Sequence, residues 1–139
     1  MSAKSTFLNA FNTIFDSVLV YVAEIHPDNP HIISGQKSMR AVHAINPALT
    51  IQAWYRYVYI PYKDDLETGG IEFFLQKDYT ADINGLSKAA AILNIIDQIR
   101  TPLRLMSDTH KSVIYTRITK LNLLSEKWAI LNHSAITNK

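Results

Sequence analysis

The chain contains no cysteine, and only 4 glycines and 5 prolines among 139 residues. Without cysteine there are no disulfides, no thiolate nucleophile and no Cys-based zinc site. That composition suits a reducing compartment without requiring one. Glycine is too scarce for a phosphate cradle. Neither G-x-x-x-x-G-K nor G-x-G-x-x-G occurs, and the single Gly-Gly pair, Gly69-Gly70, stands alone. A G-x-S-x-G nucleophile elbow is also missing. Uninterrupted apolar runs stay well short of the roughly 18 residues that span a bilayer. The opening MSAKSTFLNAF lacks the apolar core and small-residue cleavage site of a secretory signal, and Met1-Ser2 in place of Met-Gly removes N-myristoylation. The expectation is a soluble protein with no transmembrane segment, made and kept inside a cell.

Charge is sparse as well, at 19% of residues, with a net charge of +2 that is too mild to imply a polyanion partner. Its distribution carries more information. Asp64, Asp65, Glu67, Glu72, Asp78 and Asp82 face one base, Lys77, within a single stretch, whereas from Asp97 onward seven bases face three acids. Either the two regions lie side by side and partly neutralise each other, or each is a separate docking surface.

What is present is an ordinary globular composition, 47% hydrophobic, in a chain long enough to bury a real core as one domain, 1–139. Residues 1–4 and 134–139 are expected to fray. Phe7, Phe11, Ile14, Val18, Val22 and Ile25 recur every three or four residues, which predicts an amphipathic helix from Ser5 to His26, ended by His26-Pro27-Asp28-Asn29-Pro30. Asn29 as N-cap and Pro30 at the first helical position open a second helix, with a stripe of Ile32, Gln36, Met39, Val42 and Ile45. From Leu86 another helix keeps one face through Ala89, Leu93, Ile96, Ile99 and Leu103, with Pro102 as a kink. Ser107-Asp108 caps a last helix whose stripe is Ile114, Ile118, Leu121, Leu124, Trp128 and Leu131.

Between these lies Ile51–Tyr79, which holds most of the aromatic residues. Trp54, Arg56, Val58 and Ile60 alternate with Tyr55, Tyr57 and Tyr59 as a strand would, yet Ile51, Trp54, Tyr55 and Val58 also fit a helix face. A lone strand has nothing to pair with, and Asn46-Pro47 is a helix start, so the segment is expected to be helical. Pro61 should bend or interrupt it, Lys63–Thr68 add a turn, and Gly69-Gly70 stop it. Glu72–Tyr79 is then a short piece that packs Phe73 and Phe74, followed by a turn-rich loop at Thr80–Gly85. The expected fold is an all-α, single-domain bundle of about five helices, with a kinked aromatic central helix and an acidic loop.

Motifs for chemistry fail one by one. Asp65-x-Glu67-x-Gly69-Gly70 and Thr80-x-Asp82-x-Asn84-Gly85 resemble calcium loops, but the closing positions are Gln76 and Ala91. His26, His31, His43, His110 and His133 form no H-x-x-x-H pair. Adjacent Asp64 and Asp65 point apart on a helix. These patterns favour a protein that is not an enzyme and imply no cofactor or metal. The aromatic and basic residues Trp54, Arg56, Tyr57, Tyr59, Tyr62 and Lys63 are the candidate partner contacts, since aromatics and Arg are enriched at interface centres; the alternative is that they serve as core and boundary residues. Arg100, Arg104, Lys111, Arg117 and Lys120 form a candidate basic stripe for nucleic acid.

The order of short landmarks resembles a family of small helical proteins of the nucleocytoplasmic large DNA viruses, with chlorella-virus-like and mimivirus-like members. The landmarks are Ile25-His26-Pro27, Asn46-Pro47, Tyr59-Ile60-Pro61-Tyr62, Glu72-Phe73-Phe74 with Asp78-Tyr79, and Leu103-x-x-Met106-Ser107 leading into His110-Lys111-x-x-Ile114-Tyr115-x-x-Ile118. Gly69-Gly70-Ile71 and Pro102 depart from the pattern. The resemblance implies a helical bundle, a viral source and no transferable catalytic residue. It further implies a minor capsid or capsid-associated component, present in the virion and in host cytoplasm during assembly, with other viral structural proteins as partners. The alternative is an adaptor or nucleic-acid-binding module acting during infection.

Overall fold

The computed structural model describes residues 3–77 and 89–137. Its elements are α1 (Ala3–Ile25), α2 (Pro30–Ile45), α3 (Leu49–Trp54), a π-helical turn (Tyr55–Tyr59), α4 (Ile60–Gln76), α5 (Ala90–Arg104) and α6 (Asp108–Thr137). The middle three join end to end as one kinked central helix over 49–76. The described residues thus form an all-α bundle of five helices with no strand, as expected. Of the termini expected to fray, 3–4 and 134–137 are helical. The expected loop at Thr80–Gly85, the start of the fourth helix at Leu86, and Asp78 and Asp82 lie outside the described residues.

The helix boundaries follow the local chemistry. Asn29 accepts from the backbone N–H groups of His31 and Ile32 at 2.9 and 3.3 Å, which satisfies two donors that the first turn of α2 leaves open. Ser107 does the same for α6 through His110 N–H at 3.3 Å. α5 runs through Pro102 and ends at Arg104.

α1 packs along α6, and α2 lies across α5 and α1; α4 contacts α5 and α6 on the other side. At the centre Trp54 meets Phe11 and Phe15 edge-on and Phe74 at a tilt, each with ring centroids 6.1 Å apart. The predicted stripes of α1, α5 and α6 are largely the buried ones, including Phe11, Val18, Val22, Leu93, Ile96, Ile99, Leu103, Ile114, Ile118, Leu121 and Trp128. α1 is long and apolar enough to cross a membrane by length and composition alone, a criterion that a signal sequence also meets. A core helix passes the same criterion, and here the face carrying Phe11, Phe15, Val18, Leu19 and Val22 is buried in the bundle.

The central helix departs from expectation at three points. Its start is not capped by Asn46. Asn46 instead ends α2, its side chain accepts from Ala48 N–H at 3.2 Å, and α3 begins at Leu49. Of the two outcomes expected at Pro61, a bend or an interruption, the interruption does not occur, and the distortion is a π-helical turn just before it. The N–H of Ile60 reaches back five residues to the Tyr55 carbonyl, and this wider turn precedes a proline that has no N–H to donate and whose ring crowds the preceding turn. Gly69-Gly70 does not stop it either. Gly70 adopts φ 61° and ψ −148°, the helix kinks, and it resumes as far as Gln76 so that Phe74 and Leu75 reach the core. The expected acidic loop is therefore helix: Asp64, Asp65, Glu67 and Glu72 all lie on α4.

Gly35 lies buried where α2 passes α1 and α5. A Cβ there would sit 3.7–3.8 Å from Gln98, Ile95 and Leu19, which is ordinary contact. Gly35→Ala is expected to fit and to raise stability by about 0.5–1 kcal/mol through helix propensity, measured by urea unfolding.

Candidate docking surface

The candidate partner residues do not form one patch. Trp54 is 1% exposed and its indole N–H donates to the Asn122 side-chain oxygen at 2.8 Å, so it is a core residue and is removed from the contact set. Tyr59 stacks on Tyr55 with centroids 5.7 Å apart, donates its hydroxyl to the Glu126 carboxylate, and has the Lys63 ammonium 5.6 Å from its ring. Tyr62 lies against Phe73 at 5.7 Å, with Lys77 4.8 Å from its ring. These two tyrosines tie the central helix to α6 and to its own far end. Arg56 and Lys63 are exposed, and Tyr57 is half-buried with the Arg56 guanidinium 5.9 Å from its ring.

The basic stripe is taken up inside the molecule. Arg100 is 7% exposed and pairs with Asp97 on the same helix. Arg104 donates from Nε to the Leu75 carbonyl at 3.0 Å, holding the last turn of α4. Lys111 pairs with Glu72 at 3.4 Å, and Arg117 donates to the Ser17 carbonyl at 2.9 Å beside the Tyr21 ring. Lys120 is exposed. Four of the five thus act as ties between helices or within one, and they do not present a common cationic face.

Asp16, His43 and Thr50 fall in line in a way that resembles a hydrolase relay. His43 Nε2 is 3.3 Å from the Thr50 hydroxyl, and Nδ1 is 4.0 Å from Asp16. The Thr50 hydroxyl, however, belongs to a residue with 0% exposure and donates to the Met39 sulfur at 3.5 Å. No substrate carbonyl can reach it, so the row serves to join α1, α2 and α3. No group of three or more metal-ligating side chains occurs among the described residues.

An open surface remains at the end of α2. Ile45, the last position of the predicted inward stripe, is 85% exposed. α2 ends there and the chain turns at Asn46-Pro47. Ile45, Ala41, Val42 and Leu49 line a hollow of about 320 Å³. A second hollow of about 280 Å³, reaching to Gln52, Arg56 and Tyr57, adjoins the first at Asn46 and Leu49. Arg56 is the charged residue in their lining. From Asn29 to Lys63 the chain has no Asp or Glu, while Lys37, Arg40 and Arg56 are exposed. That acid-free run was readable from the sequence and was overshadowed by the acid-rich stretch after it. The exposure of Ile45 was not readable, because periodicity does not show what covers a residue.

Comparison with protein-family models, curated proteins and solved structures gives no match.

Proposed function

We propose that this protein is a non-enzymatic interaction protein that works through the hollows at the junction of α2 and α3, and that it is a minor capsid or capsid-associated component of a large DNA virus. One observation carries the docking reading: two adjoining hollows, one of them lined largely by apolar side chains with an isoleucine 85% exposed, and Arg56 as the charged residue in their lining. Leaving an isoleucine in water forgoes about 1.5–3 kcal/mol of burial that a partner surface can recover. Aromatic and guanidinium groups at the far end, Tyr57 and Arg56, are the residue types that anchor interfaces. The order of landmarks along the chain, which resembles that of small large-DNA-virus proteins, supports the virion context. Quantitative mass spectrometry of purified particles of a virus encoding the chain tests it. The protein should be found at many copies per particle, and its absence there alongside abundance in infected cytoplasm would remove the virion assignment.

The second reading is an intracellular adaptor or nucleic-acid-binding module. It is favoured by the acid-free run from Asn29 to Lys63, in which Lys37, Arg40 and Arg56 are exposed, rather than by the last two helices. Phosphate contacts must weaken steeply with salt, so an RNA or DNA titration at two salt concentrations separates this reading from the first.

A further inference from the structure

We propose that the outer face of the C-terminal half of α6 rests on an anionic lipid bilayer. Lys120, Leu123, Lys127, Ile130 and Leu131 are all exposed, and on a helix of 3.6 residues per turn they fall within an arc of about 100°. Leu121, Ser125, Trp128 and Ala129, which are buried, occupy the opposite arc. Leu123 and Ile130 are each more than half exposed, two turns apart, with Lys127 between them. The charge of this face is positive. From Thr109 to Asn132 the only acid is Glu126, which is half-buried and accepts from the Tyr59 hydroxyl. The Lys127 ammonium lies 5.8 Å from the Phe7 ring, and the exposed Lys4 stands one turn before Phe7 on α1, so a third lysine belongs to the same end of the bundle. On the other flank Leu123 shares a hollow with Lys63 and Glu67, an exposed pair of opposite sign that adds no net charge.

The residue types choose the occupant. Protein interfaces centre on aromatic residues and Arg and are depleted in Lys, whereas the exposed members of this face are aliphatic residues and lysines. Single-stranded nucleic acid stacks on aromatic rings and guanidinium planes and has no use for Leu123 or Ile130. A second copy of the same face would set lysines against lysines. A bilayer uses both kinds of residue. Aliphatic side chains enter the boundary between headgroups and acyl chains, while lysine stems lie along apolar surface and hold their ammonium groups at the level of the phosphates. The lysines keep α6 in the plane of the interface, and its buried face stays packed on α1. Three aliphatic residues and a few lysines make a reversible contact that weakens as salt rises. This face is separate from the α2–α3 hollows, to which α6 contributes no described residue.

Flotation of the full chain with lipid vesicles tests this. One set of vesicles is phosphatidylcholine alone, and the other contains phosphatidylserine at about one lipid in three. The apolar variant is Leu123→Ser with Ile130→Ser, and the charge variant is Lys120→Gln with Lys127→Gln. All four positions are exposed, so circular dichroism and melting should match the wild type. The wild type is expected to float with the phosphatidylserine vesicles and to stay behind with phosphatidylcholine. Each variant should partition about tenfold or more weakly, and Ile45→Asp should float as the wild type does. A wild type that floats with neither set, or equally with both, would overturn the proposal. So would an apolar variant that floats in full while the charge variant does not, since the lysines would then serve any polyanion. Loss of flotation with Ile45→Asp would move the contact away from α6 and overturn it as well. None of these results bears on whether the α2–α3 hollows retain the protein in particles, which is measured separately.

Discussion

Trp54→Ala is expected to lower the stability of the fold by about 3–5 kcal/mol, the range for removing a large aromatic residue from a packed core. Trp54 is 1% exposed and its ring meets Phe11, Phe15 and Phe74, which come from α1 and from the far end of α4. The substitution leaves a cavity where three helical segments converge, and it also deprives the Asn122 side-chain oxygen of the indole N–H 2.8 Å away. A domain of this size is stable by roughly 5–15 kcal/mol, so the variant sits near the limit of folding. Trp54→Phe restores most of the ring contacts and still leaves Asn122 unpaired, and should fall between the two. Urea unfolding of the three proteins measures the series. A loss below about 1 kcal/mol for the alanine variant would mean that the aromatic cluster does not centre on this residue.

Gly70→Ala is expected to cost about 1–3 kcal/mol, through the backbone rather than through packing. With φ at 61° and ψ at −148°, Gly70 occupies a region that only glycine enters readily, although a Cβ there would meet nothing within 4 Å. The kink it makes turns the last part of α4 so that Phe74 and Leu75 enter the core while Arg104 reaches the Leu75 carbonyl. Straightening the helix to relieve the alanine would withdraw both residues. Gly69→Ala meets a different obstacle, since its Cβ would lie 2.8 Å from Cβ of Phe73. The three glycine-to-alanine changes should therefore differ in sign: a gain at Gly35, losses at Gly69 and Gly70. Thermal melting resolves this, because each kcal/mol moves the midpoint of a domain of this size by roughly 2–6 °C. A gain at Gly70 would show that the kink is not required.

The parts of this architecture that could be read in advance are those governed by neighbouring residues. The stripes of α1 and α6, the Asn29 cap and the Ser107 cap depend on spacings of three or four residues and on one side-chain acceptor, and the structure shows them where the sequence places them, apart from Leu131 at the end of the α6 stripe, which is 37% exposed. The aromatic segment is helix rather than strand, as expected, and no strand occurs among the described residues for it to pair with, but one of the two reasons for that expectation does not hold. Asn46-Pro47 ends α2, and the helix begins after it on Ala48 without a side-chain cap. The π turn could not be read, because a five-residue hydrogen bond leaves little trace in an apolar pattern. Gly69-Gly70 reads locally as a stop, and only the burial of Phe74 and Leu75 against distant helices explains why the chain continues as helix.

The site followed the same division. Which aromatics are buried and which bases are occupied depends on residues far away in sequence: Asn122 for Trp54, Glu126 for Tyr59, the Leu75 carbonyl for Arg104 and the Ser17 carbonyl for Arg117. Residue type marked Arg56 and Tyr57 as candidate contacts, and they do line the second hollow. Ile45 matches the inward stripe of α2 and yet stands in solvent at the last residue of that helix.

On the proposed virion role, the docking account is tested most directly by a virus that encodes Ile45→Asp in this chain. Position 45 is exposed, so the variant should accumulate in infected cells and melt as the wild type does. The measurement is its copy number in purified particles by mass spectrometry, against the wild type. The account predicts a loss of tenfold or more, about 1.4 kcal/mol of retention, from placing a carboxylate on the apolar hollow. Particles that retain the variant as fully as the wild type would contradict it.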